Sequence, residues 1–590
     1  MHLVTKTIKG CEYFYLVSKE RRGERVVTAK TIYVGNRQKL AALVELSATN
    51  AFPAEAMVQE VGGCLALSQV AEDLDLEKII DEVCPPPRAD AAPLGRRLVL
   101  AAIHRALAPR RSNSLLSLQV GYSGSSLAEL LPTALAGLDN RRMCETLARL
   151  TAKQVEAIES AVVRQVVQKE NVALCALAFD CSNFDSYAGA RTVSRLLRRG
   201  HSKSGKPLRS LGLGLLVTED EGLPLLSFAY PGNENDVTAF GRFLKALDRR
   251  CESLGLPVEA TVAADGGNIS RQMLLKLEKN TRHYVVRLPR KHVDLPPLKS
   301  AELPPLSGSL KGKVRARRLS CRVYGVERCV VDQYSVRMHQ RQRSGLERDR
   351  KRARQDLERL QMLLDRQRQG LRRIKPLTVS AIRRRVDQAL SREHMADLFR
   401  VKVEKGDRAP ILRFEESETA WQHLHDYVLG RTLLVTSRMD WPAEQIVHAS
   451  RVQSHNESFF RDLKNPNGVS MLPLRHRRDA ALRAHALVVV LGLLLAKVVQ
   501  RRLKHADVDA PTVAAALDHL QGIRRVKLRY AADAPPALRA LAEDRWVPSV
   551  RSKQQQAMLH ALGLADRVEL GTTLGQVLIG RSARKRRAKR

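Results

Sequence analysis

Residues 1–35 alternate apolar and polar positions through CEYFYLV and RVVTAKTIYVG, around a polar turn that contains Gly23. A period of two on both sides of such a turn predicts a β-hairpin. From Arg37 to about Gln168 the period lengthens to that of helices, with breaks at Pro85-Pro86-Pro87 and at Gly121–Ser126. The pattern changes again at Val172. CALAFDCSNF, Cys175 to Phe184, stays apolar as far as Phe179 and then meets Asp180. This resembles a buried strand whose last inward position carries a carboxylate, an arrangement that is costly unless something positive, such as a metal ion, lies against it.

RSLGLGLLVTED and GLPLLSFAYPG predict two further strands joined by a turn at Glu221-Gly222. DVTAFGRFLKALDRRCESLG predicts a helix, with Asp236 as its N-cap and Gly255 as its stop. VEATVAAD is another apolar strand that ends on an acid, Asp265. A helix (SRQMLLKLEKN) and a strand (HYVVRLPR) complete the order β-β-β-α-β-α-β. Three meandering strands followed by alternating units is the order of an RNase H-like mixed sheet. The α/β core is then interrupted over residues 292–440 by a largely helical insertion. Within it, Leu346, Ala353, Leu360 and Ile374, interleaved with Leu357, Leu364 and Leu371, hold heptad spacing up to the stops at Gly370 and Pro376. A second amphipathic run, Leu377 to Phe399, is expected to fold back on this arm. RTLLVTS predicts a strand, and Asp440-Trp441-Pro442 opens a helix that continues to Lys464 and stops at Asn465-Pro466-Asn467-Gly468. A long helical region, Arg475 to Lys504, and a basic tail, RSARKRRAKR, close the chain.

Charge changes the picture most. The 590 residues carry 100 Lys+Arg against 62 Asp+Glu, a net charge of +38, spread over the whole chain. Such an imbalance repels itself and is normally tolerated because a polyanion neutralises it, so nucleic acid is the leading partner. Nine cysteines, none in a Cys-x-x-Cys pair, indicate neither a zinc ribbon nor a thioredoxin-type site and fit a reducing compartment. MHLVTKTIKG has no apolar signal core. The longest apolar run, Ala486 to Ala496, is too short to span a bilayer and reads as a buried helix, so no membrane partner is expected. The expected compartment is the cytoplasm, in association with the nucleoid.

The candidate chemistry lies in three acids. In HASRVQSHNESFFRDLK, Glu457, Arg461 and Lys464 stand at i, i+4 and i+7, on one face of a helix, while Phe459 and Phe460 fall away from it. Asp180, Asp265 and Glu457 would supply the oxygen ligands that Mg²⁺ prefers. Two such ions about 4 Å apart could activate an attacking oxygen and stabilise a leaving one. Taken singly, a strand-end acid is more often a turn cap, and a helical Glu beside Arg is more often a surface ion pair; their order and setting are more specific. Gly200 to Lys206 spells the start of a phosphate-binding loop, but Pro207 follows where Ser or Thr would hold Mg²⁺, which argues against an ATPase.

Over nearly its whole length the chain resembles the DDE transposases of bacterial insertion sequences, in the group with the Tyr-Arg-Glu-Lys signature. The resemblance is carried by the opening hairpin, FDCSNF, GHSKSGKP, GLPLLSFAYPGNENDVTAF, VAADGGNIS, YVVRLPR and ESFFRDLK. Glu457 and Lys464 keep the last spacing of the signature, whereas Ser450 stands at the Tyr place and Gln453 at the Arg place. Those two positions help hold the DNA end in the family, and Arg451 is a substitute for the missing Arg. The resemblance implies cleavage at the element's ends with Mg²⁺, for which Mn²⁺ substitutes, and attack of the freed 3′-OH on target DNA without a covalent protein–DNA link. It makes Asp180, Asp265 and Glu457 both the catalytic residues and the metal ligands. Lys464, Arg461, Arg451, His201 and Lys203 are implied DNA contacts. Asn233 and Asp236 match family positions near the site, or simply shape a turn and cap a helix.

The partners expected are terminal inverted repeats and a target duplex, bound by a homodimer. The chain divides into a hairpin plus helical DNA-end-binding domain at 1–168, core halves at 169–291 and 441–504, the insertion at 292–440, and a helical C-terminal region with the basic tail at 505–590. Two further functions compete with transposition. One is a DNA-binding repressor or end-binding subunit with an inactive core, and the other is a structure-specific RNA nuclease.

Overall fold

The computed structural model describes residues 2–570 except 9, 23–24, 49–53, 86–91, 108–114, 175, 190–191, 201–207, 220–221, 235, 256–260, 265–269, 280–282, 294, 371–376, 407–408, 466–467, 533 and 535–545. The chain opens with three strands rather than two: β1 (His2–Ile8), β2 (Cys11–Arg22) and β3 (Arg25–Asn36) form one antiparallel sheet. The expected hairpin is its second half. The extra strand, HLVTKTI, has no period of two and is defined by its pairing with Cys11–Val17, and Gly10, at φ 77°, supplies a left-handed position in the turn that doubles it back. Helices follow from Gly62 to Lys169, after a short strand β4 (Glu55–Glu60).

The central sheet is built from β5 (Ala176–Ser186), β6 (Arg198–Arg199), β7 (Arg209–Thr218), β8 (Pro224–Pro231), β9 (Thr261–Ala264), β10 (His283–Leu288), β11 (Val314–Val323) and β12 (Val326–Ser335). A strand from later in the chain, Arg431–Thr436, joins it to give nine strands. The order is β11, β12, Arg431–Thr436, β10, β9, β5, β7, β6, with β8 paired to β7. The expected strand order from Val172 to Leu288 is therefore present. The sheet also reaches into 292–440, because β11 and β12 pair onto the Arg431–Thr436 strand. The sheet is mixed: β5 lies antiparallel to β7 but parallel to β9.

Both faces of this sheet are covered, which is why its strands read as continuous apolar runs. Within β5, Ala176 and Ala178 point to one side, where the N-terminal helices and the Asp479–His505 helix pack. Leu177 and Phe179 point to the other, where Phe179 stacks on Phe243 at 3.7 Å between ring centroids. Alternation with a period of two thus feeds two separate cores from one strand. On the second face, Arg250 of the Asp236–Leu254 helix donates to Glu159 Oε2 at 2.6 Å and to the Leu225 carbonyl at 2.8 Å, while Ser227 N donates to Glu159 Oε1 at 2.9 Å. This buried ion pair fastens two helices to β8. Gly255 ends the Asp236–Leu254 helix at φ 60°, where the sequence places the stop.

The Asp479–His505 helix is longer than the run Ala486 to Ala496 suggests. It is long and apolar enough to cross a membrane, with a mean hydropathy of 2.1, but 94% of its apolar window is buried inside the protein. Helices Gly62–Asp73, Leu94–Leu107 and Asn140–Arg149 surround it, and Gly492 lets the Ala102 carbonyl approach to 2.6 Å from where a Cβ would sit. The C-terminal region is not only helical: β4 pairs with Arg524–Arg529, which in turn pairs with Trp546–Pro548. A long-range partner, invisible to local periodicity, decides both strands.

The arm in the insertion is a helix from Val336 to Arg368 with Leu346, Ala353, Leu357, Leu360 and Leu364 buried. Gly370 follows at φ 73°, while Leu371, Ile374 and Pro376 lie outside the described residues. The second amphipathic run supplies helix Val379–Ala389, capped by Thr378, whose Ile382 and Val386 join the same cluster. An antiparallel hairpin, Phe399–Glu404 with Ile411–Glu416, completes this small core.

Candidate active site

β5 does not end at Asp180, as its sequence suggests, but continues to Ser186, because β7 pairs with it from Leu177 to Ser186. Among the described residues the parallel pairing with β9 runs as far as Phe179–Ala264. Asp180, the next residue of β5, is half-buried. Its Oδ1 accepts from the Cys181 amide at 2.7 Å. Asp265 follows Ala264 directly in the sequence, and lies with His201 and Lys203 outside the described residues.

The helix expected from Trp441 to Lys464 is two helices, Ala443–Arg451 and Gln453–Lys464. They break at Val452, whose amide bonds Ala449 O at 3.3 Å, a tightened i to i−3 turn. The second helix packs on the face of β5 that carries Asp180, and period-two alternation explains how. Asp180, Ser182 and Phe184 project to one side. Lys464 Nζ donates to Ser182 Oγ at 2.5 Å and lies 5.6 Å from the centre of the Phe184 ring, and Phe184 and Phe460 are 6.3 Å apart. Phe459, Phe460 and Leu463 are buried, whereas Glu457, Arg461 and Lys464 are all exposed on the opposite stripe, as their spacing requires.

Ser450 and Gln453, at the signature places, point inward. Ser450 is buried and donates to Val447 O at 2.8 Å. Gln453 and Asn456 are buried as well, and Gln453 Nε2 and both polar side-chain atoms of Asn456 have no hydrogen-bond partner among the described residues. Arg451 is exposed at the end of the first helix. Beside the carboxylate helix, burial pushes the Asp462 carboxyl up, against the pull of Lys497 and Arg461. Among the described residues no group of three His, Cys, Asp or Glu is close enough to hold a metal ion. Asp180, half-buried, and Glu457, exposed, are the two candidate ligands described, and both offer carboxylate oxygens, which suit a hard divalent cation.

The supporting roles of four residues escape a sequence reading. Ser182 is found only by its period-two relation to Asp180. Asn183 Nδ2 donates to Gly232 O at 3.3 Å, and Gly200 fits only because it lacks a Cβ, which would lie 2.3 Å from that same oxygen. Arg105, buried in the N-terminal helices, donates to the carbonyls of Ser470 and Leu472 at 3.3 and 3.2 Å and so holds the segment that follows the Glu457 helix. Its Nη2 lies 3.2 Å from His485 Nε2. Burial lowers Arg105 to about 10 and, with help from Arg105, lowers His476 to about 4. A histidine depressed in the fold is neutral there while the unfolded chain takes up protons below about 6.5. Stability present above pH 6.5 is therefore lost as the pH falls towards 4, by about 2–3 kcal/mol for His476. Urea unfolding at pH 7 and pH 4.5 should show this loss, and His476→Gln should reduce it, leaving the share of His485, which burial also depresses.

A mixed sheet covered on both faces, with the Gln453–Lys464 helix packed on the face of β5 that carries Asp180, defines an α/β protein. The chain belongs to the family of the transposase DDE domain, whose model matches residues 191–495. Glu457 and Asp265 fall inside the matched stretch and Asp180 just before it. No curated protein sequence matches the chain. Among solved structures it is similar to the cryo-EM structure of the piggyBac transposase synaptic complex with hairpin DNA, at 9% identity and a TM-score of 0.34, over 79% of this chain and 82% of that one.

Proposed function

We propose that this protein is an insertion-sequence transposase that cuts DNA at the ends of its element and joins the freed 3′-OH to target DNA. Membership of the transposase DDE-domain family supports this. The observation that carries it is the seating of the Gln453–Lys464 helix on the Asp180 face of β5, through Lys464 and Ser182. In this proposal Asp180, Asp265 and Glu457 are the catalytic carboxylates and hold Mg²⁺, with Mn²⁺ as a substitute. A divalent ion bound there would activate the attacking oxygen and neutralise charge on the leaving one. The chain's own part is to place the phosphodiester. Arg461 and Lys464, beside Glu457 on one exposed stripe, hold backbone phosphate, and Arg451, His201 and Lys203 contact the DNA around them. Ser450 and Gln453 take no part, being buried.

The strand order from β5 to β10 serves as an RNase H-like core. Around it, 1–168 binds the element ends, 169–291 and 441–504 hold the core together with the Arg431–Thr436 strand that pairs with β10, the rest of 292–440 forms the insertion, and 505–590 closes the chain. Two copies bring two terminal inverted repeats together, in the cytoplasm at the nucleoid. The test is incubation of the full chain with linear DNA carrying the inverted repeats that flank its gene. Mg²⁺-dependent nicks at the repeat boundaries are expected. Binding to the repeats without any nick in Mg²⁺ or Mn²⁺ would overturn the proposal in favour of an end-binding protein.

A further inference from the structure

The Val336–Arg368 helix spends its basic residues in two ways. Arg350 and Arg354 turn towards the hairpin beside the arm and share Glu416, Arg350 at 2.5 Å, and Arg350 also stacks over Trp421 at 4.5 Å. These two fasten the helix to its own small core. Six others, Arg337, Arg341, Arg348, Arg352, Arg359 and Arg366, are all exposed. At about 100° per residue they fall within an arc of about 60°, on the side away from the buried Leu346, Leu357 and Leu364. They run the length of the helix, about 44 Å at 1.5 Å per residue.

The acids of the same helix avoid that arc. Glu347, Asp349, Asp356, Glu358 and Asp365 all lie about 70° or more from its centre. Several are used on the flanks: Glu347 pairs with Arg343 at 2.8 Å, and Asp349 with Arg392 at 3.4 Å. Within the stripe only Arg359 has a carboxylate, Asp356 at 3.5 Å, and Arg348 donates to Ser344 O at 3.2 Å. Arg337, Arg341, Arg352 and Arg366 have no carboxylate within ion-pair distance among the described residues. A solvated helical face normally mixes signs, because like charges at i and i+4 oppose the helix and opposite ones support it. Here a line of uncompensated charge is kept where packing does not require it.

We propose that this outward stripe is a docking track for the phosphate backbone of duplex DNA. Duplex DNA carries one negative charge per about 1.7 Å of axis, so a straight basic line of this length can face several phosphates at once. Guanidinium forks suit phosphate oxygens geometrically as well as by charge. The track rests on the proposed function only in taking DNA as its polyanion. It adds a contact surface on the arm, apart from the residues around Glu457.

The test is a full-length variant carrying Arg341→Gln, Arg348→Gln, Arg352→Gln, Arg359→Gln and Arg366→Gln, titrated onto a fluorescent duplex of about 40 base pairs at several salt concentrations. Each phosphate no longer neutralised removes about 0.9 from the slope of log K against log salt, so loss of three to five contacts makes the slope shallower by about 3–4.5. The matching Arg→Lys set should keep most of the wild-type slope, and the thermal midpoint should not move, since every changed side chain is exposed. Two smaller variants, Arg341→Gln with Arg348→Gln and Arg359→Gln with Arg366→Gln, should each remove about 1–2. Wild-type slope and affinity in a folded variant would overturn the track and leave the stripe as a solvated face or a docking site for an acidic protein. Failure of the wild type to nick DNA would instead count against the catalytic proposal, because these titrations need no cleavage.

Discussion

Replacing Asp180 with Asn is expected to lower Mg²⁺-dependent nicking of end-bearing DNA by about a thousandfold or more, with the fold and DNA affinity retained. The size follows from the role proposed for it: a carboxylate that holds a catalytic cation supports several kcal/mol of charge stabilisation, and about 1.4 kcal/mol is tenfold in rate. Asn keeps the side-chain oxygen that accepts from the Cys181 amide at 2.7 Å, so the local backbone has no reason to shift. Asp180→Ala should be equally inactive. Gel-resolved nicking at matched protein concentration reads the result, with circular dichroism as the folding control. A folded Asp180→Asn protein that nicks at the wild-type rate would show that Asp180 lies outside the catalytic set.

Arg250→Ala should destabilise the protein by about 3–5 kcal/mol, the typical cost of breaking one half of a buried ion pair. The Glu159 and Arg250 side chains are 7% and 1% exposed, so the carboxylate left behind cannot recover its hydration. Burial already pushes the Glu159 carboxyl above its usual range, although Arg250 and Ser227 oppose the shift. The double replacement Glu159→Leu with Arg250→Met should cost much less than either loss alone, since it removes both charges and fills the space. Denaturant unfolding of the two single variants and the double variant makes a cycle that checks this. If Arg250→Ala costs under 1 kcal/mol, water must reach the pair, and the two helices must be held to β8 mainly by their apolar faces.

The same contrast between local and distant information runs through the whole fold. CALAFDCSNF, RSLGLGLLVTED, HYVVRLPR and RTLLVTS are all strands, because each is a β-branched or apolar run bounded by polar turns. The heptad positions Leu346, Ala353, Leu357, Leu360 and Leu364 are buried as their spacing requires. Where the pattern misleads, a neighbour far along the chain is responsible. Asp180 ends the apolar run but not the strand, since β7 continues the ladder to Ser186. Glu55–Glu60 is a strand because Arg524–Arg529 pairs with it, and no local period announces that. The split at Val452 lies inside an otherwise unbroken helical pattern.

The candidate site shows the same division. Three acids in order, the exposed stripe of Glu457, Arg461 and Lys464, and the family they resemble are all legible in one dimension, because residue type and helical spacing are local properties. The sequence likewise carries the net charge of +38, which favours a polyanionic partner. Only the tertiary structure decided which face of β5 meets the Gln453–Lys464 helix, and that Lys464 is seated on Ser182. It also turned Ser450 and Gln453 inward and divided the arm's arginines between Glu416 and solvent. Those outcomes depend on which surfaces can be buried together, and packing of that kind is settled between segments well separated along the chain, 66 residues for Arg350 and Glu416 and 282 for Lys464 and Ser182.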